Sequence, residues 1–233
     1  DIDNDNRAFF AQLSYGLSEQ LDATIGLRHT SETKRSRPDQ FNYANPDAKY
    51  LPSFWYETDF SATNISANLS YKLSDKTMIY GSYSEGFKGG GFNNHFNSPQ
   101  SQEALDSFHK YDQEEAETIE VGAKMDLLDN SLRLNLALFN TDYDGLQFVF
   151  RVGIAPYLLN AGKASIKGAE AEFTWVPSDN WLIEGGFGYP DDSIDEISTD
   201  FEALGAVTSV TTENTLPYTP KLKTNLGIGY TYE

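Results

Sequence analysis

The 233-residue chain has no cysteine, two methionines and three histidines, and each shortage removes a class of chemistry. Without Cys there is no thiolate zinc site, Fe–S ligation, cysteine nucleophile or disulfide, although a chain this long can bury a core that needs no cross-links. His29, His95 and His109 lie far apart and no pair has metal-ligand spacing, so they read as ordinary polar or surface histidines. Positive charge is also short: 17 Lys and Arg against 35 Asp and Glu leave a formal charge of −18. Such a surface repels phosphate backbones, and no nucleic-acid partner is expected. No stretch approaches the roughly 20 consecutive apolar residues of a spanning helix, which excludes a helical membrane protein. The chain starts at Asp1 with neither an initiator Met nor a signal-peptide pattern, and is expected to be processed or cut from something longer.

What is abundant points to strands: 14 Tyr, 15 Phe and 18 Gly. Read at period two, Phe9, Ala11, Leu13, Tyr15 and Leu17 alternate with polar or small residues, as do Ala23, Ile25 and Leu27. The pattern recurs through Ile65 to Leu73, Met78 to Lys88 (blurred by aromatics on both faces), Ile119 to Leu127, Leu132 to Leu138, Ala169 to Trp175, Trp181 to Tyr189 and Leu222 to Tyr232, about nine runs in all.

Soluble sandwiches alternate too, so the pattern alone does not say whether the apolar face meets lipid or core. Three features favour lipid. Many runs are near the roughly 9 to 11 residues a tilted strand needs to cross a bilayer. Short turns at Glu19 to Asp22, Ser74 to Lys76, Asp129 to Asn130 and Pro177 to Asn180 alternate with long connections at Lys34 to Glu57, Gly89 to Glu115, Arg151 to Ala161 and Pro190 to Thr219. Outer-membrane barrels have this asymmetry, with short periplasmic turns and long extracellular loops. Finally Tyr15, Tyr71, Trp175, Trp181, Tyr230 and Tyr232 share the apolar face beside the short turns, as an interfacial aromatic girdle would. The other face carries Arg28, Lys72, Lys124, Arg133, Glu170 and Glu172, which suits a hydrated lumen or a plug. An all-β antiparallel transmembrane barrel segment is therefore expected. Single-chain bacterial barrels close with even strand numbers, so nine runs predict an incomplete barrel domain over residues 1–233, with no division into further domains. Pro190 is expected to end or bulge the strand that reaches it, since it removes a ladder donor.

Several stretches, in series, resemble TonB-dependent outer-membrane receptors. Tyr80 to Asn93 (YGSYSEGFKGGGFN) looks like a strand and loop common in that family, and ETIEVGAK at Glu117 to Lys124 is similar to its E-x-x-E-x-G-x-K strand. LRLNLALFNTDYDGLQ at Leu132 to Gln147, the Asn-x-Gly and Gly-x-Glu elements of Asn160 to Phe173, and the Pro-bearing approach to a strand at Leu216 to Glu233 follow in the family's order. The resemblance implies a barrel of about 22 strands filled by a plug. It also implies residence in the outer membrane of a Gram-negative bacterium and uptake of a scarce nutrient, foremost a ferric siderophore. Its partners would be outer-membrane lipid and the TonB complex, reached through a plug and TonB box outside this segment. A smaller outer-membrane channel, adhesin or accessory barrel without active transport is the alternative. No enzyme and no cofactor are expected: there is no G-x-S-x-G elbow, and Glu170 and Glu172, though on one side of a strand, are explained by lumen hydration.

Ligand contact is expected from loop aromatics that stack on planar faces, with Arg supplying charge for an anionic chelate. The candidates are Tyr43, Trp55, Phe87, Phe92, Phe96 and Arg151, with Phe41, Tyr50, Phe54, Tyr56, Arg35 and Arg37 nearby in sequence. Mutual packing of the loops is the competing reading for these rings. Asp191, Asp192 and Asp195 supply oxygen ligands for a weak calcium site, but their run, like Asp112 to Glu117, reads better as a solvated loop. GFKGGGF at Gly86 to Phe92 lacks the spacing and following helix of a phosphate loop.

Overall fold

The computed structural model describes residues 1–42, 45–51, 53–94, 109–152, 155–198 and 210–232. Tyr43, His95, Phe96, Asp200 and Glu202 lie outside the described residues. In chain order the strands are β1 (Ile2–Gly16), β2 (Leu21–Ser36), β3 (Gln40–Asn42), β4 (Asn45–Leu51), β5 (Tyr56–Ser74), β6 (Thr77–Lys88), β7 (Gly91–Phe92), β8 (Lys110–Tyr111), β9 (Glu114–Leu127), β10 (Leu132–Asp144), β11 (Gln147–Val152), β12 (Ala155–Asn160), β13 (Gly162–Ser178), β14 (Trp181–Ile197) and β15 (Lys223–Tyr230). No helix occurs among the described residues. Nine strands form one antiparallel sheet in the order β1-β2-β5-β6-β9-β10-β13-β14-β15, so every neighbour in the sheet is the next long strand in the chain. The long connections carry three small ribbons, β3-β4, β7-β8 and β11-β12.

The four short turns lie at one end of this sheet. Leu17–Gln20 is closed by the Leu17 N–H donating to the Leu21 carbonyl at 2.7 Å and by the Ser18 hydroxyl accepting from the Leu21 N–H at 3.1 Å. Leu128, Asp129 and Asn130 take φ of 50°, 56° and 69°, a left-handed run that Asp and Asn tolerate and that costs more at Leu128. Toward the short turns, register places the alternating apolar residues on one face. One row crosses the sheet as Tyr71, Ile79, Ala123, Leu136, Ala171 and Phe187, and the next as Leu69, Gly81, Val121, Leu138 and Ala169. This apolar face is exposed rather than core: Ile119 is 58% accessible, Leu138 59% and Leu226 67%. A continuous apolar band on an exposed sheet face needs lipid or another apolar cover.

The opposite face carries Arg28, Lys72, Lys124, Arg133, Glu170 and Glu172, as the alternation predicts. Lys72 pairs with Asp22 at 3.5 Å and Arg133 with Asp126 at 2.9 Å. Tyr80 lies across Gly122 and donates to Glu120 at 2.6 Å. A Cβ at Gly122 would overlap that ring, so the small residue is what lets Tyr80 lie flat on the neighbouring strand.

Two sequence expectations need correction. Pro177 does not open a turn: β13 runs through it to Ser178, accommodated by a register shift between Trp175 and Ser178. Nor does Pro190 end its strand. Pairing of β14 with β15 does stop at Gly188↔Lys223, but pairing with β13 continues through Gly168↔Pro190 to Gly162↔Ile197. Pro is tolerated there because the β15 side carries no ladder beyond Gly188.

Candidate functional site

Above the apolar band the strands continue toward the long connections, and the side-chain pattern inverts. On β5 the positions in line with the apolar stripe become Glu57, Asp59, Ser61 and Thr63, all exposed, while Thr58 and Phe60 on the other face are buried. The exposed face is laced with polar contacts. Arg35 reaches Glu57 at 2.5 Å and Asp3 at 3.4 Å, Thr33 donates to Asp59 at 2.6 Å, and His29 Nδ1 lies 2.9 Å from the Thr63 hydroxyl. The two carboxylates hold the Arg35 guanidinium more firmly protonated than usual, with Glu57 the stronger partner.

Aromatics gather on the buried face and on the exposed connection before β5, where Phe54 and Trp55 lie. Phe54 and Tyr56 have ring centroids 4.3 Å apart, Tyr56 and His109 4.0 Å, and Phe92 and His109 5.0 Å. Phe60 is flanked by the ammonium groups of Lys34 and Lys110, 5.9 and 5.5 Å from its ring centre, and Arg37 lies 5.4 Å from the Trp55 ring. A second pair, Phe150 and Tyr157, is buried in the β11-β12 ribbon with centroids 5.8 Å apart.

The glycine run of Gly89 to Gly91 is explained by this packing. A Cβ at Gly90 would sit 2.6 Å from Phe60 atoms and overlap the Tyr111 carbonyl. The Gly90 carbonyl meanwhile accepts from Lys34 Nζ at 2.7 Å. The motif is a close-approach device, not an anion cradle.

Side-chain amides bind the ribbons to the sheet. Asn93 behaves like a strand residue, donating through Nδ2 to the Leu158 carbonyl at 2.8 Å and accepting from the Leu158 N–H at 2.9 Å. Asn160 of the Asn-x-Gly element donates to the carbonyls of Gly145, Asp112 and Gln113 at 2.7, 3.0 and 3.2 Å, and its Oδ1 accepts from the Asp112 N–H at 2.6 Å. Gln147 donates to the Asp112 and Gly89 carbonyls, and its own N–H reaches Glu114 at 2.6 Å.

Between β5 and β6 the sheet opens. Their pairing stops at Ser66↔Ser84, and the carboxylate of Glu85 takes the Ile65 N–H at 2.8 Å in place of a strand partner. That bond, together with the Tyr83 hydroxyl, holds the Glu85 carboxyl below its usual range, with Tyr83 the larger influence. A cleft of about 680 Å³ follows the opening, lined by Asn6, Arg28, Glu32, Asn64, Glu85 and Phe87 among others.

Of the predicted ligand contacts, Trp55 is exposed beneath Arg37, Phe87 lines the cleft, and Arg151 is exposed on β11. Phe92 turns inward onto His109, so here the packing reading applies. Phe92 and Arg151 belong to ribbons joined through Asn93. The acidic run after Pro190 is strand rather than loop. Asp191 and Asp195 are exposed, whereas Asp192 lies on the other face and accepts from the Leu216 N–H at 2.5 Å. The three aspartates do not converge, and among the described residues no group of three or more His, Asp or Glu side chains could hold a metal ion. Glu114, Glu115 and Glu117 likewise sit on β9, not in a solvated loop. His109 is 4% accessible, which overturns the expectation of a surface histidine. Spacing rules missed it, with Phe60 and Asn93. The available signal was the shift of aromatics to even positions in Tyr56 to Phe60.

The family model described as "TonB dependent receptor-like, beta-barrel" matches residues 1–233. The probable TonB-dependent siderophore receptor PiuA of Acinetobacter baumannii is 29% identical over 168 residues, covering 70% of this chain and 22% of that protein. The structure of the ferric yersiniabactin uptake receptor FyuA from Yersinia pestis superposes with a TM-score of 0.75 at 18% identity, covering 97% of this chain and 31% of that one. The copper transporter OprC gives 0.68 at 16% identity, with 97% and 32% coverage. The chain thus spans under a third of the length of these relatives.

Proposed function

Since the chain belongs to the TonB-dependent receptor β-barrel family and is a component of the Gram-negative outer membrane, we propose that it forms part of the wall of a receptor for ferric siderophores. The carrying observation is the placement of positive charge. In a chain of net charge −18, the Arg37 guanidinium, paired with Asp1, lies 5.4 Å from the exposed Trp55 ring at the loop end, whereas Lys34 and Lys110 flank the buried Phe60 and pair with Glu32 and Asp112. Cations over planar rings suit a ligand that is both anionic and flat, such as a catecholate or phenolate iron chelate. Trp55, Phe87 and Arg151 are the candidate contacts among the described residues, with Tyr43 and Phe96 as further candidates and Phe92 positioning the β7-β8 ribbon. OprC is described as a copper transporter, so the fold leaves the cargo open and the choice rests on this surface.

In this reading residues 1–233 are one portion of a barrel of about 22 strands. The polar inward face, with Arg28, Lys124, Arg133, Glu170 and Glu172, lines a plug supplied by the rest of the protein. Energy arrives from the TonB complex through that plug, and the exposed apolar band meets outer-membrane lipid. The family consists of receptors and transporters, and no bond-making step is assigned to any residue here.

The test is binding of ferric catecholate, ferric phenolate and copper ions to the full-length receptor and to its Trp55→Ala and Arg37→Ala variants. Each substitution is expected to weaken one ferric chelate about tenfold, the loss of one ring or charge contact. Copper binding without any ferric-chelate binding would sink the reading.

A further inference from the structure

His109 stands at the end of the β7-β8 ladder with its imidazole packed among aromatic rings. It is 4% accessible and sits between the rings of Tyr56 on β5 and Phe92 on β7, with centroid distances of 4.0 and 5.0 Å. Its Nε2 and the Tyr56 hydroxyl are both buried without a hydrogen-bond partner among the described residues. The backbone at the same residue carries a structural bond: the Asn93 N–H donates to the His109 carbonyl at 2.7 Å. Asn93 in turn holds Leu158 of β12 through both of its side-chain polar atoms. The imidazole therefore lies at the junction of β5, the β7-β8 ribbon and the β11-β12 ribbon.

We propose that His109 is an acid-sensitive latch: neutral, it holds the β7-β8 ribbon against β5; protonated, it releases that ribbon and exposes Tyr56 and Phe92 at the outer surface.

A neutral imidazole fills the pocket as a flat, largely apolar ring, whereas a proton on Nε2 creates a buried charge with no acceptor beside it among the described residues. The charged groups on the flanking elements are already paired: Glu32 with Lys34 at 3.5 Å, Lys110 with Asp112 at 3.1 Å, and Glu57 with Arg35 at 2.5 Å. The titratable neighbours are Tyr56, in direct ring contact, and Tyr111 on β8, and burial pushes both phenols upward, so neither offers a negative charge. Burial alone lowers His109 from its ordinary 6.5 to about 4. The closed state thus binds the proton more weakly than the open one. Its stability is fully present above pH 6.5, declines as pH falls, and levels off below about 4. Tyr56 and Phe92 offset part of the penalty through cation–π attraction, which narrows the effect without reversing it.

The latch goes beyond the siderophore reading, and its test contains no ligand, so one can fail while the other stands. Amide hydrogen exchange at Asn93 is measured in the ligand-free full-length receptor at pH 7.5 and pH 5, corrected for the intrinsic pH dependence of exchange. Protection in the wild type is expected to fall about 10- to 30-fold at the lower pH. It should stay level in His109→Phe, and remain lower but level in His109→Gln. Level protection in the wild type overturns the proposal without recourse to any variant. So does an equal acid loss in either variant.

Discussion

The lower and upper halves of the nine-stranded sheet share strands, ladder and register, yet they hide opposite faces. Toward the short turns, Ile65, Leu69, Val121, Leu136 and Leu138 stand outward and exposed, while Tyr80 and Glu120 hydrogen-bond on the inner face. Toward the long connections the outer positions become Asp3, Arg35, Glu57 and Asp59, and Phe60, Ala164 and Ile194 are buried on the inner one. The reversal falls near His29 and Thr63 on β2 and β5 and, two outward rows nearer the short turns, at Asn140 on β10. Hydrogen bonding is indifferent to the change, because a strand satisfies its backbone equally in lipid and in water. What changes is the medium outside. Where it is hydrocarbon, apolar residues are stable outward; where it is water, the same strand must find a core within.

The comparison breaks most severely at the buried end. Phe60→Ala should cost about 3–5 kcal/mol of local stability, the usual price of emptying an aromatic site whose neighbours cannot collapse. Phe60 is packed on Gly90 and flanked by Lys34 and Lys110, so the ribbons should lose protection in hydrogen exchange while the membrane half keeps its own. Equal loss in both halves would mean that they are not separate cores. Next comes Leu138→Arg, a charge placed in the middle of the outer apolar band. It should destabilise the folded barrel by about 2–4 kcal/mol in denaturant titrations in lipid vesicles. Ala137→Arg, one residue away on the inner face and opposite Glu170, should be close to neutral. Equal costs at the two positions would refute the assignment of faces.

Asn160→Ala probes the polar stitching of the upper half. It removes three donated bonds, to Gly145, Asp112 and Gln113, and the acceptor for the Asp112 N–H. A loss of about 1–3 kcal/mol, read as faster exchange at Asp112 and along β11-β12, is expected because these groups lie under other chain and regain little water.

The lower half was legible because its period-two pattern has one meaning over many strands. Nine runs, four short turns and the aromatic girdle could be read directly, and Trp181 and Tyr230 do stack on that girdle with centroids 4.7 Å apart. The upper half was less legible for a physical reason: its strands keep period two but switch which parity is apolar. A reading tuned to odd positions therefore takes Tyr56 and Glu57 and the acidic stretch beyond Pro190 for loop. Asn93 and Asn160 were hidden differently, since a polar side chain that completes a backbone ladder has no periodicity. Their partners, Leu158 and Asp112, are 65 and 48 residues away.

The smallest predicted effect locates the boundary between the halves. Asn140 is the first polar residue after Leu138 on the outer stripe of β10, beside Ile119 and Lys167, with its Nδ2 on Asp142 at 2.8 Å. Asn140→Leu extends the apolar band by one row. If the bilayer edge lies at that row, the variant should be near neutral in thin bilayers and gain less than about 1 kcal/mol over the wild type as the lipid is lengthened, following the modest cost of hydrophobic mismatch. A substitution that only disturbs the Asn140–Asp142 contact would shift stability by the same amount at every thickness. The dependence on lipid length, rather than the sign at any one length, therefore separates a membrane boundary from an ordinary surface hydrogen bond.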